Sequence, residues 1–336
     1  MKSVRETLPF KIIRFAILVI IIAVLPAITK DPYYLHILIM SGLCSINAMG
    51  WVLIVRVGQF SLGQAGFYAI GAYTSALLMK GLNFSFWTAL PLSGITTAII
   101  ALAFGSVVLR IKGLYFAILT FAFSEIIRFT IISWPTLLGG FNGIIGIPKP
   151  APLFFMESMK IDFLTSRVPF YYLMVTILVI AALVFWRVDC SRIGRIFRCI
   201  SRDEDLSESL GINIMKYRIL AFTLACFFTG ISGSFYASYF GILHPDLFTV
   251  WESILIQIQA TLGGLSFAIA GPVVGAVVLN ILSELLRATK HVEPVIYGGA
   301  LIVILFTLPK GLMDLGPRVF QLIEKRTKLS SSPKAS

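Results

Sequence analysis

The chain is 336 residues long, 57% hydrophobic and 13% charged, with a mean hydropathy of +0.90 and a formal net charge of +12. That much apolar surface exceeds what one soluble core can bury, so a soluble globular fold is excluded and the solvent for most of the chain is a bilayer. The positive balance would suit a nucleic-acid partner, but its distribution along the chain assigns it to membrane topology, and no nucleic acid is expected.

In chain order, apolar runs of about the 20 residues that a helix needs to cross a membrane recur. They cover 10–28, 33–55, 62–79, 87–109 and 114–132, then 168–186, 219–240, 253–270, 272–286 and 295–308. The expected fold class is an all-α polytopic membrane protein of about ten transmembrane helices, forming one domain over 1–336. Lys2, Arg5, Lys11 and Arg14 precede or open the first run, as in a signal peptide. No clean small-x-small cleavage site precedes Lys30, so it reads as a retained span.

Between the second and third runs lies VGQFSLGQAGFYAIGAY (57–73), a short polar turn leading into a span rich in small residues. Ser61, Ala65 and Ala69 recur every four residues and, with Gly66 and Gly71, offer a smooth face for close helix packing. Gln59, Ser61 and Gln64 place polar groups near the inner end of that span, where they are candidates for lining a translocation path. In the fifth run Glu125 and Arg128 lie one helical turn apart, a spacing that lets them pair, and Glu125 is a further path candidate. The connection 133–167 carries Gly and Pro turns and reads as an outward-facing loop suited to docking.

The sixth and seventh runs are separated by the connection 187–218, which holds SRIGRIFRCISRDEDLSESLGIN (191–213). Ser201 and Glu204 have the spacing of a capping box, in which hydroxyl and carboxylate satisfy free amides at a helix start. Asp203, Glu204 and Asp205 fall in the first turn, where the helix dipole favours negative charge. Gly211 is placed for the left-handed residue beyond the last turn. The spacing predicts a capped helix of about two to three turns beginning at Ser201. Ile200, Leu206 and Leu210 are its expected apolar contacts to a soluble partner, and Asp203, Glu204, Asp205 and Glu208 its polar ones.

Further on, ATLGGLSFAIAGPVVGA (260–276) holds Gly271 and Gly275 as a small-xxx-small pair, interrupted by Pro272. Gln257 and Gln259 put amides inside the membrane just before it. Broken helices at bilayer depth are tolerated where they line a cavity or are covered by protein, so both glutamines join the path candidates. Gly58 with Ser61 and Gly263 with Ser266 share a Gly-x-x-Ser spacing that hints at an internal repeat.

With the N-terminus inside, twenty of the 28 Lys and Arg fall on inner segments, among them Arg56, Arg110, Lys112 and those from Arg187 to Arg218. Cationic loops stay on the cytoplasmic side. Both termini, the tail 318–336 and the capped helix are therefore expected in the cytoplasm, and 133–167 outside. Cys44, Cys190, Cys199 and Cys226 lack metal-ligand spacing and His36, His244 and His291 are scattered, so neither metal nor cofactor is expected. No His, Asp or Ser cluster at depth suggests an intramembrane enzyme, and no catalytic residues are assigned. An ion-coupled secondary transporter would carry more embedded ionisable groups than Glu125 and Arg128. No G-x-x-x-x-G-K-[ST] phosphate loop occurs, so ATP hydrolysis would belong to a partner.

Several blocks together resemble a family. GQFSLGQAGFYAIGAYTSALL, RIKGLYFAILTFAFSEIIRF with the later GGFNGIIGIP, and GRIFRCISRDEDLSESLGINIMKYRILAF are followed in order by GGLSFAIAGPVVGA and LPKGLMDL. They are similar to the permeases of branched-chain amino acid ABC importers, specifically the LivM-type subunit, over residues 42–315. The resemblance implies that 200–211 is a coupling helix inserting into a cytoplasmic ATPase, with Ile200, Ser201, Asp203, Glu204, Asp205, Leu206, Glu208, Leu210 and Gly211 as coupling residues. It implies as partners a second, LivH-type permease, two ABC ATPase subunits and a periplasmic substrate-binding protein for leucine, isoleucine or valine, at a bacterial inner membrane. LSFAIAGP is less Gly-rich than the family pattern, and Gln257 and Gln259 make the preceding span more polar. That leaves related permeases for urea, short amides or aromatic and small organic acids as open alternatives.

Overall fold

The computed structural model describes residues 31–151, 153–154, 160–161, 163, 166–265, 267–286, 298–299 and 311–314. The runs expected at 10–28 and 295–308, Ser266 and the tail 318–336 lie outside the described residues apart from 298–299, as does part of the connection 133–167.

The helices in chain order are α1 (Pro32–Val55), α2 (Gln64–Gly81), α3 (Phe86–Val108), α4 (Leu114–Ser133), α5 (Pro135–Leu138) and α6 (Val168–Cys190). They continue with α7 (Arg192–Arg202), α8 (Glu204–Ser209), α9 (Ile214–Phe240), α10 (Val250–Gly263) and α11 (Ala270–Leu286). Proline opens α1 and sits in the first turn of α6, where its fixed φ suits a helix and its missing amide would have no partner. Among the described residues, α1, α3, α4, α6 and α9 are long and apolar enough to cross a membrane. The protein is a multi-pass membrane protein.

The runs expected to cross at 253–270 and 272–286 correspond to α10, which has 14 residues, and α11, of which 17 residues are described. At 1.5 Å per residue α10 reaches roughly 21 Å, short of a hydrocarbon core of about 30 Å. The break also falls at Gly263–Gly264 and not at Gly271–Pro272. Gly264 takes a φ of +112°, which only glycine adopts readily, whereas Pro272 lies in the first turn of α11, where no helical hydrogen bond is lost.

α1 and α9 form the centre of the bundle. α9 packs on α1, α2 and α3, while α1 is also covered by α6, α10 and α11. In its most apolar window α1 is 83% buried, against 33% for α3 and 28% for α4, which places those two on the rim. Their outer faces carry Ile95, Ile99, Leu102 and Val107, and Ile118, Phe121, Ile126 and Phe129, all exposed. Lipid or another apolar surface matches such faces and water does not.

α2 and α9 approach closely because both present glycine. A Cβ on Gly71 would lie 2.3 Å from the Gly230 carbonyl oxygen, and one on Gly233 would lie 2.3 Å from that of Tyr68. One turn on, the Ser234 hydroxyl donates to Ser75 at 2.8 Å. Among the described residues, four two-residue strands interrupt the helical chain. β1 (Ile144–Ile145) and β4 (Ile242–Leu243) pair antiparallel and tie the segment after α5 to the end of α9, while β2 (Leu153–Phe154) pairs with β3 (Lys160–Ile161).

Candidate translocation and coupling sites

After α1 the chain turns at Gly58 (φ +75°), and residues 59–63 fold back beside α1 before α2 begins. The Trp51 indole, one turn inside the end of α1, donates to the Ser61 carbonyl at 2.9 Å. The Gln257 amide of α10 donates to the same carbonyl at 3.2 Å. The Leu62 N–H donates to the Thr120 hydroxyl oxygen of α4 at 2.9 Å, and the Ala65 N–H to that of Ser253 of α10, also at 2.9 Å. Non-helical backbone inside a membrane protein requires such covering partners, and three helices supply them. α4 presses on this segment at two glycines. A Cβ on Gly63 would meet the Thr120 carbonyl at 2.7 Å, and one on Gly66 the Ser124 Cα at 2.9 Å.

Gln59, Ser61, Gln64, Gln257 and Gln259 are all buried. Ser61 and Gln257 are brought together directly, and Gln64 accepts a long bond of 3.5 Å from the Thr229 hydroxyl of α9. Both amide atoms of Gln59, Nε2 of Gln64 and Oε1 of Gln259 have no hydrogen-bond partner among the described residues. Each such group costs about 1–3 kcal/mol of desolvation where it stays unpaired. Glu125 is engaged elsewhere. Its carboxylate pairs with Arg128 at 3.0 Å, and Arg128 lies 3.7 Å from Asp246 beyond α9. Gly271 and Gly275 allow α11 to touch the α10 backbone, since a Cβ on Gly275 would sit 1.8 Å from the Gln259 carbonyl. Sequence reasoning missed Trp51, Thr120, Thr229 and Ser253 as partners of this segment. No local spacing marks them, because their contacts lie far along the chain.

The charged block between α6 and α9 is two helices, and this corrects the expected single one. Ser191 caps α7, accepting from Ile193 N–H at 3.1 Å and Gly194 N–H at 3.4 Å. α7 then runs through Arg202, so Ser201 lies in its last turn and caps nothing. The extended residue is Asp203 (φ −156°, ψ 109°), and its carboxylate accepts the Leu206 N–H at 3.0 Å as the cap of α8. The capping-box spacing was misleading because a helix already capped upstream passes through its first position. At the far end Gly211 is left-handed (φ +79°), with Gly211 N–H donating to the Glu208 carbonyl and Ile212 N–H to that of Ser207. That closes the helix as a Schellman motif does.

The expected coupling residues divide by environment. Ile200 is 1% exposed and packed inside the chain, so it offers no surface to a partner. Glu204 is ion-paired to Arg218 at the start of α9 and to Lys112 in the turn between α3 and α4. Asp203, Asp205 and Glu208 are exposed, and Leu206 and Leu210 are 59% and 71% exposed. A second ionic joint lies nearby, where Asp189 at the end of α6 receives Arg56 and, at 2.8 Å, Arg198 of α7. Both ends of the α7–α8 block are thus fastened to membrane helices.

Residues 33–308 match the family described as branched-chain amino acid transport system / permease component. The chain belongs to this family. It is 33% identical over 329 residues to the high-affinity branched-chain amino acid transport system permease protein LivM of Salmonella typhimurium (strain LT2), covering 92% of this chain and 76% of that one. The protein of the same name from Escherichia coli (strain K12) is 33% identical over 282 residues, 79% of this chain and 66% of the relative. No solved structure matches. As a permease component the chain is a transporter subunit, and every helix from α2 to α11 falls inside the family's range.

Proposed function

We propose that this chain is the LivM-type permease of an ATP-binding cassette importer that moves leucine, isoleucine and valine across a bacterial inner membrane. The observation that carries this reading is the 33% identity with two permeases of that name over most of the chain. In this reading 10–28 and 295–308 complete about ten crossings. Both termini, the tail 318–336 and the connection 187–218 face the cytoplasm, in keeping with the clustering of Lys and Arg there. The connection 133–167 faces the periplasm and meets the binding protein. A LivH-type permease stands beside the chain and two ATPases sit beneath.

α8 is the coupling helix. Its support is a short helix capped at both ends that nonetheless leaves Leu206 and Leu210 in the open. Closure of the ATPases would push on these leucines, and the Glu204–Arg218 and Glu204–Lys112 pairs would pass the motion to α9 and to the start of α4. α9 packs on α1, α2 and α3, and its Thr229 reaches Gln64, so movement arrives at the buried polar segment.

The test is the assembly co-expressed with its ATPases and reconstituted with its binding protein. Wild type is expected to retain the ATPases and take up leucine, with isoleucine and valine competing and urea not. The double variant Leu206→Asp, Leu210→Asp is expected to lose the ATPases on purification. Full retention by that variant would remove α8 from the coupling role, and competition by urea alone would overturn the substrate.

A further inference from the structure

Glu252 was not among the sequence candidates, because it precedes the run expected to begin at Ser253. It stands in the first turn of α10, half-buried. Among the described residues it has no ion pair or side-chain hydrogen bond, in contrast to Glu125 and Glu204. Its surroundings place it inside the bundle. The next residue, Ser253, accepts the Ala65 N–H where α2 starts. One turn earlier, Phe248 is fully buried against the rings of Tyr68 (5.5 Å), Tyr73 (5.9 Å) and Tyr236 (6.4 Å). Tyr68 and Tyr236 themselves meet at 5.6 Å. α10 therefore starts against α2 and α9, and Glu252 lies in its first turn between a residue bonded to α2 and an aromatic cluster drawn from both helices.

A structural carboxylate in such a place would be held by a cation of the same chain, since an embedded charge is costly without one. A ligand that brings its own cation resolves the imbalance. An aliphatic α-amino acid does so, because its ammonium needs an anion and its side chain an apolar wall. Aromatic rings supply that wall and also attract the ammonium through their faces.

We propose that Glu252 accepts the substrate's ammonium group at a transient binding site inside the bundle, with Tyr68, Tyr236 and Phe248 beside the aliphatic side chain. This rests on the reading of the chain as an amino-acid permease. It separates Glu252 from Gln59, Gln64, Gln257 and Gln259, which carry no charge and cannot by themselves select an ammonium.

The test compares leucine with its hydroxy-acid analogue, in which a hydroxyl replaces the ammonium. Each is measured by equilibrium dialysis on the full assembly in nanodiscs without binding protein. In wild type leucine binds more tightly than the analogue. Glu252→Gln is expected to weaken leucine by about thirtyfold or more, the scale for losing one partner of a desolvated charge pair, while leaving the analogue nearly unchanged. Glu252→Asp, which keeps the charge, is expected to keep the preference, and it decides the matter if the Gln variant does not assemble. Unchanged leucine binding in Glu252→Gln, an equal loss of both ligands, or loss of the preference in Glu252→Asp would overturn the proposal. So would a wild type that imports leucine with its binding protein yet binds none without it. A wild type that does not import leucine at all would sink the transport reading, and this proposal with it.

Discussion

Replacing Arg218 by alanine removes the buried half of the joint beneath α8. The Arg218 side chain is 4% exposed and that of Glu204 20% exposed. Deleting one partner of a fully buried pair costs about 3–5 kcal/mol, because the other charge is left uncompensated. Here Glu204 keeps some water and retains Lys112, whose side chain is 61% exposed and correspondingly weak as a partner. About 2–3 kcal/mol is therefore expected, and if α8 opens locally its amides exchange roughly 30 to 150 times faster. The assay is hydrogen–deuterium exchange on the purified protein, followed at Leu206, Ser207 and Leu210, whose N–H groups are bonded within α8 and its cap. Amides in the middle of α1 serve as the unaffected reference. Exchanging the charges, Glu204→Arg with Arg218→Glu, should recover most of the protection. It would fall short by about 0.5 kcal/mol from repulsion between the new guanidinium and Lys112. Unchanged exchange in Arg218→Ala would refute the idea that this joint holds the helix.

Two other substitutions probe the local geometry. Gly71→Ala places a methyl 2.3 Å from the Gly230 carbonyl oxygen and 2.4 Å from its Cα, so the α2 and α9 backbones must part. A loss of about 1–3 kcal/mol is expected in thermal unfolding in detergent. Gly81→Ala, at the end of the same helix with nothing within 4 Å, is the control, and equal effects of the two would contradict the crossing. Asp203→Ala should cost α8 about 1 kcal/mol, read as roughly fivefold faster exchange at Leu206, whereas Ser201→Ala should leave it unchanged. The opposite ranking would restore Ser201 as the cap.

Several features were legible in the sequence because they depend on runs of residues. The starts and ends of α1, α3 and α4 fall close to the expected runs 33–55, 87–109 and 114–132, since an apolar stretch of membrane length has no other stable place. Gly211 was placed correctly as a left-handed terminus, because the requirement is local to one residue. The Ser201 cap was not, because whether a serine starts a helix depends on whether an earlier cap has already started one. The run 253–270 was overextended past the end of α10 for a similar reason. Hydropathy does not register that Gly264 bends the chain where α11 packs against it.

The sequence by itself determined that this is a polytopic helical membrane protein, its family resemblance, and the polar segments worth inspecting. These are set by composition and by order along one dimension. The tertiary structure alone decided which of those polar groups meet: Ser61 with Gln257, and Glu204 with Arg218 and Lys112. The residues in each set lie on separate segments of the chain, and only packing brings them within reach. Their separations along the chain carry no periodic signal for the sequence to display.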